Sequence, residues 1–307
     1  MIYAVNERAG YLPIVGAAVL WGSLGVVGRV TFAAGAQPLE VAFFRALLAF
    51  LGVAAIVLFT NPSALRVRPR DLALFAAFGL VSIAAFFFVY LYAISRTTVA
   101  TAAILLYTAP AFVIVLSALL FHEPVTAPKA AAIALAFAGC VLVVRGYDPA
   151  SLRLNLPGVL AGLASGFTYA MYSIFGKTAL RRYPPVTTLT YALGIGAAAL
   201  GLVALPLGAI RLSHTAAAWG GIAYLALVTT LLAQWLYLAG LLRVEAGRAS
   251  LVATLEPAVA AGLGYALLGE RLEPLQWVGG GLVLSAVLTI RLAPPAAPPA
   301  RAARSPR

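Results

Sequence analysis

Charged side chains are scarce in this sequence. Asp, Glu, Lys and Arg together make up 10% of its 307 residues, against about 25% in soluble globular proteins. Hydrophobic residues make up 63% of the chain, and the mean hydropathy is +1.00. This composition excludes a water-soluble globular protein and indicates an integral membrane protein with little mass outside the lipid bilayer.

Cysteine and histidine are nearly absent. The single cysteine, Cys140, excludes an internal disulfide bond, and its place in an apolar run favours a small buried side chain. The two histidines, His122 and His214, are far apart in the sequence and lie at the ends of predicted spans. No HExxH, GxSxG or phosphate-binding loop motif occurs. We therefore expect no enzyme activity, no cofactor and no metal site.

Acidic residues are also few, with 9 Asp and Glu against 21 Lys and Arg and a net charge of +12. The basic residues lie mostly in short predicted loops and in the C-terminal tail, which orients a membrane protein, so we expect no nucleic-acid partner. Residues 1–13 lack the basic, apolar and cleavage regions of a signal peptide. We therefore expect the first apolar run to remain as the first membrane helix.

Ten apolar runs fill most of the chain. A membrane helix needs about 20 predominantly apolar residues, with a range of about 17–25. The fifth and tenth runs are short and occupy corresponding places in the two halves. The predicted spans are 12–30, 41–59, 72–94, 99–121, 126–144, 158–175, 188–206, 216–242, 249–268 and 275–290.

Loop charge predicts the orientation. With the N-terminus inside the cell, 14 of the 21 Lys and Arg residues fall on the cytoplasmic side, where Lys129 at the start of the fifth span is included, five fall on the other side and two lie deeper inside spans. Since excess Lys and Arg remains in the cytoplasm, we predict that both termini are cytoplasmic. The predicted location is the inner (plasma) membrane of a bacterium.

The two halves of the chain repeat one pattern. Pro110 lies 13 residues before Glu123, and Pro257 lies 13 residues before Glu270, each within or at the end of an apolar run. Because five spans per repeat is an odd number, the second repeat must cross the membrane upside down relative to the first. Inverted repeats of this kind are typical of secondary transporters with a site between the repeats. We predict ten transmembrane helices arranged as two inverted five-helix repeats.

These spans predict the organisation of the whole chain. The tail is rich in Pro, Ala and Arg and lacks apolar periodicity, which predicts disorder. The predicted parts are a cytoplasmic N-terminus at 1–11, a first repeat at 12–144, an extracytoplasmic linker at 145–156, a second repeat at 157–291 and a cytoplasmic tail at 292–307.

Pro110 and Pro257 are predicted helix-break residues. A proline inside a helix removes one backbone donor, which frees the carbonyls four residues upstream, here those of Leu106 and Ala253. Within lipid, freed carbonyls need partners from neighbouring helices or water. We therefore predict that these two helices frame the substrate path.

Further residues join the doubled proline pattern. The set is Trp21-Gly22, Arg45, Tyr92-Ala93, Pro110 with Glu123, and Pro257 with Glu270. With these residues the sequence resembles the EamA family of the drug/metabolite transporter superfamily. The resemblance covers about residues 12–291 and rests on the doubled arrangement rather than on one motif.

The resemblance implies a secondary transporter that exports or exchanges small metabolites without ATP. It implies a central cavity lined mainly by spans 1, 3, 4, 6, 8 and 9, with spans 5 and 10 at the periphery and Glu123 and Glu270 as architectural turn residues. Some relatives export amino acids, aromatic ones included, so amino-acid export by alternating access is the favoured interpretation. The alternatives are another organic solute or drug and, from a different class, a membrane enzyme or a lipid-binding protein.

Several polar and aromatic residues share helical faces that could line a cavity or pack against neighbouring helices. In span 6 the spacing of Gly162, Ser165, Tyr169, Tyr172 and Gly176 places all five on one face. A similar face in span 8 carries Thr230, Gln234 and Tyr237, and span 3 carries an aromatic stripe at four-residue steps. The candidate substrate-binding residues are Trp21, Tyr90, Tyr107, Tyr169, Tyr172, Gln234, Trp235 and Glu256.

Glu256 is the only mid-span carboxylate of the predicted helices. It stands immediately before Pro257, where the first half has Ala109, and an acid in mid-membrane costs about 2.5–3.5 kcal/mol on insertion scales. Three roles stay open: binding a substrate amine, carrying a coupled proton, or a structural role in which it pairs with Arg45 or Lys177 or bonds a freed backbone group.

Overall fold

The computed structural model describes residues 7–96, 99–143, 145–149, 156–268 and 272–292. Within these ranges the chain is helical and contains no β-strand, which confirms the predicted all-helical class. Residues 1–6, the tail from residue 293 onward and the predicted turn residue Glu270 lie outside the described residues, as do residues 150–155 of the predicted linker.

The first half forms helices α1 to α8. A π-helical segment, Phe78–Ala85, continues α4 into α5, and two 3₁₀ turns, Pro62–Leu65 and Pro69–Asp71, connect α3 to α4. The helices are α1 Glu7–Gly22, α2 Leu24–Ala33, α3 Pro38–Thr60, α4 Leu72–Ala77, α5 Phe86–Arg96, α6 Val99–Leu106, α7 Ala109–Phe121 and α8 Ala127–Val143.

The second half forms helices α9 to α15. A second π-helical segment, Leu227–Leu232, continues α11 into α12. The helices are α9 Leu156–Ala179, α10 Pro185–Ala204, α11 Ala216–Ala226, α12 Ala233–Leu241, α13 Ala246–Ala253, α14 Leu255–Leu268 and α15 Pro274–Leu292. The two π segments therefore fall in the predicted third and eighth spans, which correspond between the halves.

Eight helices of the described chain are long and apolar enough to cross a membrane. The predicted fifth and tenth spans coincide with two shorter apolar helices, Ala127–Val143 and Pro274–Ile290. The structure thus agrees with the predicted positions of the spans, while the total of ten crossings stays a prediction.

Three of the predicted spans are broken in the middle. The first breaks at Ser23, the fourth at Tyr107 and Thr108, and the ninth at Thr254. At each break a hydroxyl group donates a hydrogen bond to the carbonyl three residues upstream: Ser23 to Leu20, Thr108 to Leu105 and Thr254 to Leu251. The same three carbonyls also accept the backbone N–H groups of Ser23, Thr108 and Thr254, so each helix segment ends in a tightened turn of the kind that pairs the last carbonyls of a helix.

The two prolines stand just after the breaks rather than inside intact helices. Pro110 lies in the first turn of α7, and Pro257 is the third residue of α14. Proline is tolerated there because the first helical N–H groups have no partner within the helix. The predicted breaks are therefore present, and each lies two or three residues earlier than its proline.

Helices α8 and α15 pack backbone to backbone at a pair of glycines. A Cβ atom at Gly279 would lie 2.8 Å from the carbonyl oxygen of Gly139 and 2.8 Å from the amide nitrogen of Val143. A Cβ atom at Gly139 would in turn lie 2.7 Å from the carbonyl oxygen of Gly279. Small residues allow such close approach between membrane helices. This contact holds the fifth and tenth spans together, and both helices also pack against α13 and α14.

We expect Gly279→Ala to destabilise the protein by about 1–3 kcal/mol, because the added methyl group meets backbone that cannot move aside cheaply. Denaturant unfolding in detergent micelles measures this change. Gly280→Ala and Gly281→Ala are matched controls on the same helix, since a Cβ atom at either position meets nothing within 4 Å. Equal unfolding midpoints for Gly279→Ala and the two controls would contradict the packing argument.

Candidate functional site

A narrow cavity lies among α1, the break between α6 and α7, and helices α9, α12 and α13. Its walls come from the predicted spans 1, 4, 6, 8 and 9. All three broken spans contribute to it: the first through Trp21, the fourth through Pro110 and the ninth through the last turn of α13. The lining residues are Trp21, Tyr107, Ala109, Pro110, Val113, Tyr169, Ala170, Tyr172, Ser173, Tyr237, Ser250, Ala253 and Thr254.

Aromatic rings form much of the cavity wall. The ring of Trp21 lies 5.4 Å from that of Tyr237 and 6.5 Å from that of Tyr169, the latter edge-on. Tyr172 lies 6.0 Å from Tyr237. Aromatic pairs at such distances and tilts attract one another beyond their buried area. The rings therefore brace each other and offer π faces and hydroxyl groups to a bound molecule.

The helix break at Tyr107 brings a turn of backbone to the cavity edge. Gly166 of α9 packs on this turn, and a Cβ atom there would lie 2.8 Å from the carbonyl oxygen of Leu105 and 3.2 Å from that of Leu106. The carbonyl that we predicted to be freed by Pro110, that of Leu106, is therefore covered by a glycine of the sixth span. The close approach places Tyr107 opposite the tyrosines of α9.

Glu256 lies beside the cavity and is partly buried. Its carboxylate interacts with the phenol of Tyr169, which lines the cavity, and with the positive charge of Arg45. Tyr90 and Tyr107 also interact electrostatically with the Glu256 carboxylate. Glu256 thus joins the cavity wall to a buried charge of opposite sign.

Arg45 points into the helix bundle rather than toward the membrane surface. Its Nε donates a hydrogen bond to the hydroxyl of Thr230 at 3.1 Å. Its guanidinium group lies over the ring of Phe87, 5.1 Å from the centroid. Lys177, the other predicted partner of Glu256, donates to the carbonyls of Leu241 and Val244 at 2.7 and 2.6 Å.

The structure brings five of the predicted residues together at the cavity: Trp21, Tyr107, Pro110, Tyr169 and Tyr172. Glu256, Pro257 and Tyr90 stand next to this group rather than in its wall. Tyr90 stacks on Phe86, which in turn contacts Tyr169 at 5.4 Å, so span 3 forms a layer behind span 6.

Gln234 and Trp235 are not among the residues that line the cavity. Gln234 is 8% exposed, and its Oε1 has no hydrogen-bond partner among the described residues. Trp235 is 40% exposed and does not belong to the cavity lining. The π segment before α12 shifts the phase of this helix, which a regular 3.6-residue period does not anticipate.

Four polar residues line the cavity but were not among the candidate substrate-binding residues predicted from the sequence: Ser173, Tyr237, Ser250 and Thr254. Tyr237 shares a predicted face with Gln234, so helical spacing offered a signal for it. Ser173 follows Tyr172 directly, and its hydroxyl lies 2.7 Å from that of Tyr237. Ser250 and Thr254 are four residues apart, about one helical turn, and both precede Glu256 in the ninth span. This spacing on the span that carries Glu256 is the signal that the sequence offered for them.

An ionic cluster lies one helical turn below Ser250, where α13 begins. The Glu123 carboxylate accepts hydrogen bonds from the backbone N–H groups of Ala246 at 2.9 Å and Gly247 at 3.2 Å. A carboxylate at this place satisfies free N–H groups and complements the positive end of the helix dipole. Glu123 therefore ties the loop after α7 to the first turn of α13.

Two buried cations complete the cluster. The Nζ of Lys129 lies 2.8 Å from Glu245 and 3.9 Å from Glu123, and it donates to the carbonyl of Pro124 at 2.9 Å. Arg248 reaches Glu245 at 3.3 Å. Lys129 and Arg248 are only 1% and 3% exposed. The ionic cluster therefore places buried charge one helical turn from Ser250, which lines the cavity.

A model of the EamA-like transporter family matches the chain twice, at residues 8–145 and 156–292. An "Uncharacterized transporter" of Archaeoglobus fulgidus is 34% identical over 291 residues, which cover 94% of this chain and 98% of the relative. The "Uncharacterized inner membrane transporter YicL" of Salmonella typhimurium is 28% identical over 294 residues, which cover 94% of this chain and 96% of the relative.

Two further comparisons concern a named exporter and a solved structure. The "Threonine/homoserine exporter RhtA" of Escherichia coli is 29% identical over 147 residues, 45% of this chain and 48% of its own. A crystal structure shares 18% sequence identity at a TM-score of 0.80, covering 92% of this chain and 96% of its own. At that identity the likeness shows the fold alone.

Proposed function

This chain is a member of the EamA-like transporter family, and we propose that it exports small metabolites across the inner membrane by alternating access, with amino acids as the favoured substrates. The single observation that carries the proposal is the cavity between the broken fourth and ninth spans. It combines an aromatic wall with a carboxylate and a guanidinium group alongside.

Opposite charges near one cavity suit a zwitterion. Glu256 offers an acceptor for an ammonium group, and Arg45 offers a donor for a carboxylate, while the tyrosine hydroxyls can bind either. The name of the relative RhtA, a threonine/homoserine exporter, points to the same class of substrate. The rings of Trp21, Tyr169 and Tyr237 also suit an amphipathic cation, so another organic solute or drug is the second candidate.

Inverted repeats are supported by corresponding irregularities in the two halves. The predicted spans 3 and 8 both contain a π segment, and the predicted spans 4 and 9 both break just before a proline. The family model likewise matches once in each half. We propose ten crossings in two inverted five-helix repeats, 12–144 and 157–291, with α8 and α15 as the fifth and tenth spans.

Alternating access requires that each end of the cavity open in turn. Every residue of α13 is buried, whereas α14 contains several exposed residues, among them Tyr265 and Leu267. By the charge bias of the loops, the end that carries Lys129 and Lys177 faces the cytoplasm. The ionic cluster then closes the cytoplasmic end in this conformation, and its contacts must part for the cavity to open inward.

Uptake of a labelled panel into proteoliposomes of the purified protein tests the proposal. The panel contains polar, aliphatic and aromatic amino acids together with organic cations, and imposed proton gradients of both signs test coupling. We expect saturable uptake of at least one amino acid above that of protein-free liposomes. Uptake of cations alone would favour the second candidate, and uptake of neither would remove the proposal.

A further inference from the structure

The hydroxyl group of Tyr172 is a buried polar group without a hydrogen-bond partner. Tyr172 is 6% exposed and lines the cavity. Its hydroxyl oxygen has no partner in the part of the chain that the structure describes. Buried hydroxyl groups are nearly always hydrogen-bonded, because an unpaired one forfeits its bonds to water without compensation. An unpaired hydroxyl in a cavity wall therefore indicates a partner that arrives with the ligand.

Four neighbouring hydroxyl groups of the cavity have partners. The hydroxyls of Tyr237 and Ser173 lie 2.7 Å apart and bond to each other. The phenol of Tyr169 interacts with Glu256, and the hydroxyl of Thr254 donates to the carbonyl of Leu251. Tyr172 is the exception among these described residues.

Neighbouring rings pack against the ring of Tyr172 and restrict its rotation, so the position of its hydroxyl group in the cavity wall is fixed. The ring of Phe78 meets it edge-on at 5.0 Å, and that of Tyr237 lies 6.0 Å away. Phe78 is itself fully buried, with 0% exposure. Rotation of Tyr172 toward another partner would have to displace these rings from a packed interior.

Tyr169 and Tyr172 lie three residues apart on α9, so they contact the cavity at two different heights along the axis of that helix. Three residues rise about 4.5 Å along a helix, which is comparable to the length of a small amino acid. Tyr169 stands at the level of Glu256. Tyr172 stands nearer the ionic cluster, beside Ser173, whose partner Tyr237 lies one turn before the end of α12. A molecule with its amine at Glu256 would therefore direct its side chain toward Tyr172.

We propose that the Tyr172 hydroxyl determines specificity, by selecting amino acids whose side chain carries a hydrogen-bonding group over apolar side chains of the same shape. This inference rests on the proposed function, because it takes an amino acid as the substrate. A site that hydrogen-bonds a substrate group rejects the analogue lacking it, since its own polar group is then left unpaired. Threonine and valine are the matched pair of test compounds, because they differ by a hydroxyl in place of a methyl group.

The test compares wild type with Tyr172→Phe in competition assays in proteoliposomes. We expect wild type to prefer threonine to valine by roughly two- to tenfold, the worth of one net hydrogen bond. Tyr172→Phe is expected to abolish this preference, chiefly by weaker binding of threonine. Tyr265→Phe is the control, because Tyr265 is 52% exposed and contacts Trp277 away from the cavity; its preference should equal that of wild type.

A second measurement separates specificity from folding. Since the Tyr172 hydroxyl has no hydrogen-bond partner among the described residues, Tyr172→Phe should unfold at the wild-type temperature or above it. A lower unfolding temperature would show a structural hydroxyl and overturn the inference, as would a wild type without the preference or a Tyr172→Phe variant that retains it. If wild type binds and transports no amino acid at all, the proposed function itself fails, which the uptake panel reports separately.

Discussion

Lys129→Met is expected to lower the free energy of unfolding by about 3–5 kcal/mol, the usual cost of removing one partner from a buried ion pair. The ammonium group of Lys129 lies 2.8 Å from Glu245 and 3.9 Å from Glu123. Methionine conserves most of the volume and removes the charge. The buried carboxylate of Glu123 and the partly exposed one of Glu245 are then left near each other without the cation between them.

The effect is expected to reach beyond the two ion pairs. Glu123 holds the first turn of α13 through the amides of Ala246 and Gly247, and all of α13 is buried. If Glu123 takes up a proton or turns away once Lys129 is absent, these helix-end N–H groups lose their acceptor. The loss would loosen the helix that carries Ser250 and Thr254 into the cavity.

Arg145→Met is the matched control. Arg145 also lies between two carboxylates, 2.8 Å from Glu273 and 3.3 Å from Asp148, but its side chain is 46% exposed. Exposed ion pairs contribute a median of about 0–1 kcal/mol, so this variant should change stability by less than about 1 kcal/mol. Thermal and denaturant unfolding in the same detergent compare the two variants. Similar losses for both would show that burial does not set the strength of the cluster.

The positions of the spans were predictable because lipid imposes them. A run of about 20 apolar residues has one stable arrangement across a bilayer, in which the helix satisfies its own backbone. The helix breaks near Pro110 and Pro257 were predictable for a similar reason, since proline forbids a regular helix at a known place. Both inferences depend only on local sequence, and both agree with the described helices.

The residues of the site were only partly predictable, because side-chain contacts depend on phase and on distant partners. Tyr169 and Tyr172 belong to α9, which is continuous, so regular spacing placed them well. Trp235 follows a π segment, and its helical face was harder to assign. Lys129 lies at the start of the predicted fifth span, where a charge is expected at the membrane surface, yet it is buried because Glu245, over a hundred residues away, pairs with it.

Glu256→Gln is expected to lower the affinity for amine-bearing substrates by about 10- to 100-fold, the range of a lost hydrogen bond between charged partners. Glutamine keeps the volume and the contact with Tyr169 while removing the negative charge that acts on Arg45. Neutral analogues that lack the amine should lose little, because they make no ion pair. Equilibrium binding and proteoliposome uptake, each measured over a range of pH, follow the change.

The pattern of losses distinguishes the three roles of Glu256. Weaker binding of ammonium-bearing solutes alone indicates that the carboxylate holds the substrate amine. Retained binding with a loss of pH dependence indicates a carrier of protons, since glutamine cannot titrate. Wild-type affinity, rate and pH dependence, together with lower stability, would leave only structural pairing with Arg45. Glu273→Gln is the control, because that glutamate lies 2.8 Å from Arg145 and is 42% exposed, so its loss should leave affinity and pH dependence at wild-type values.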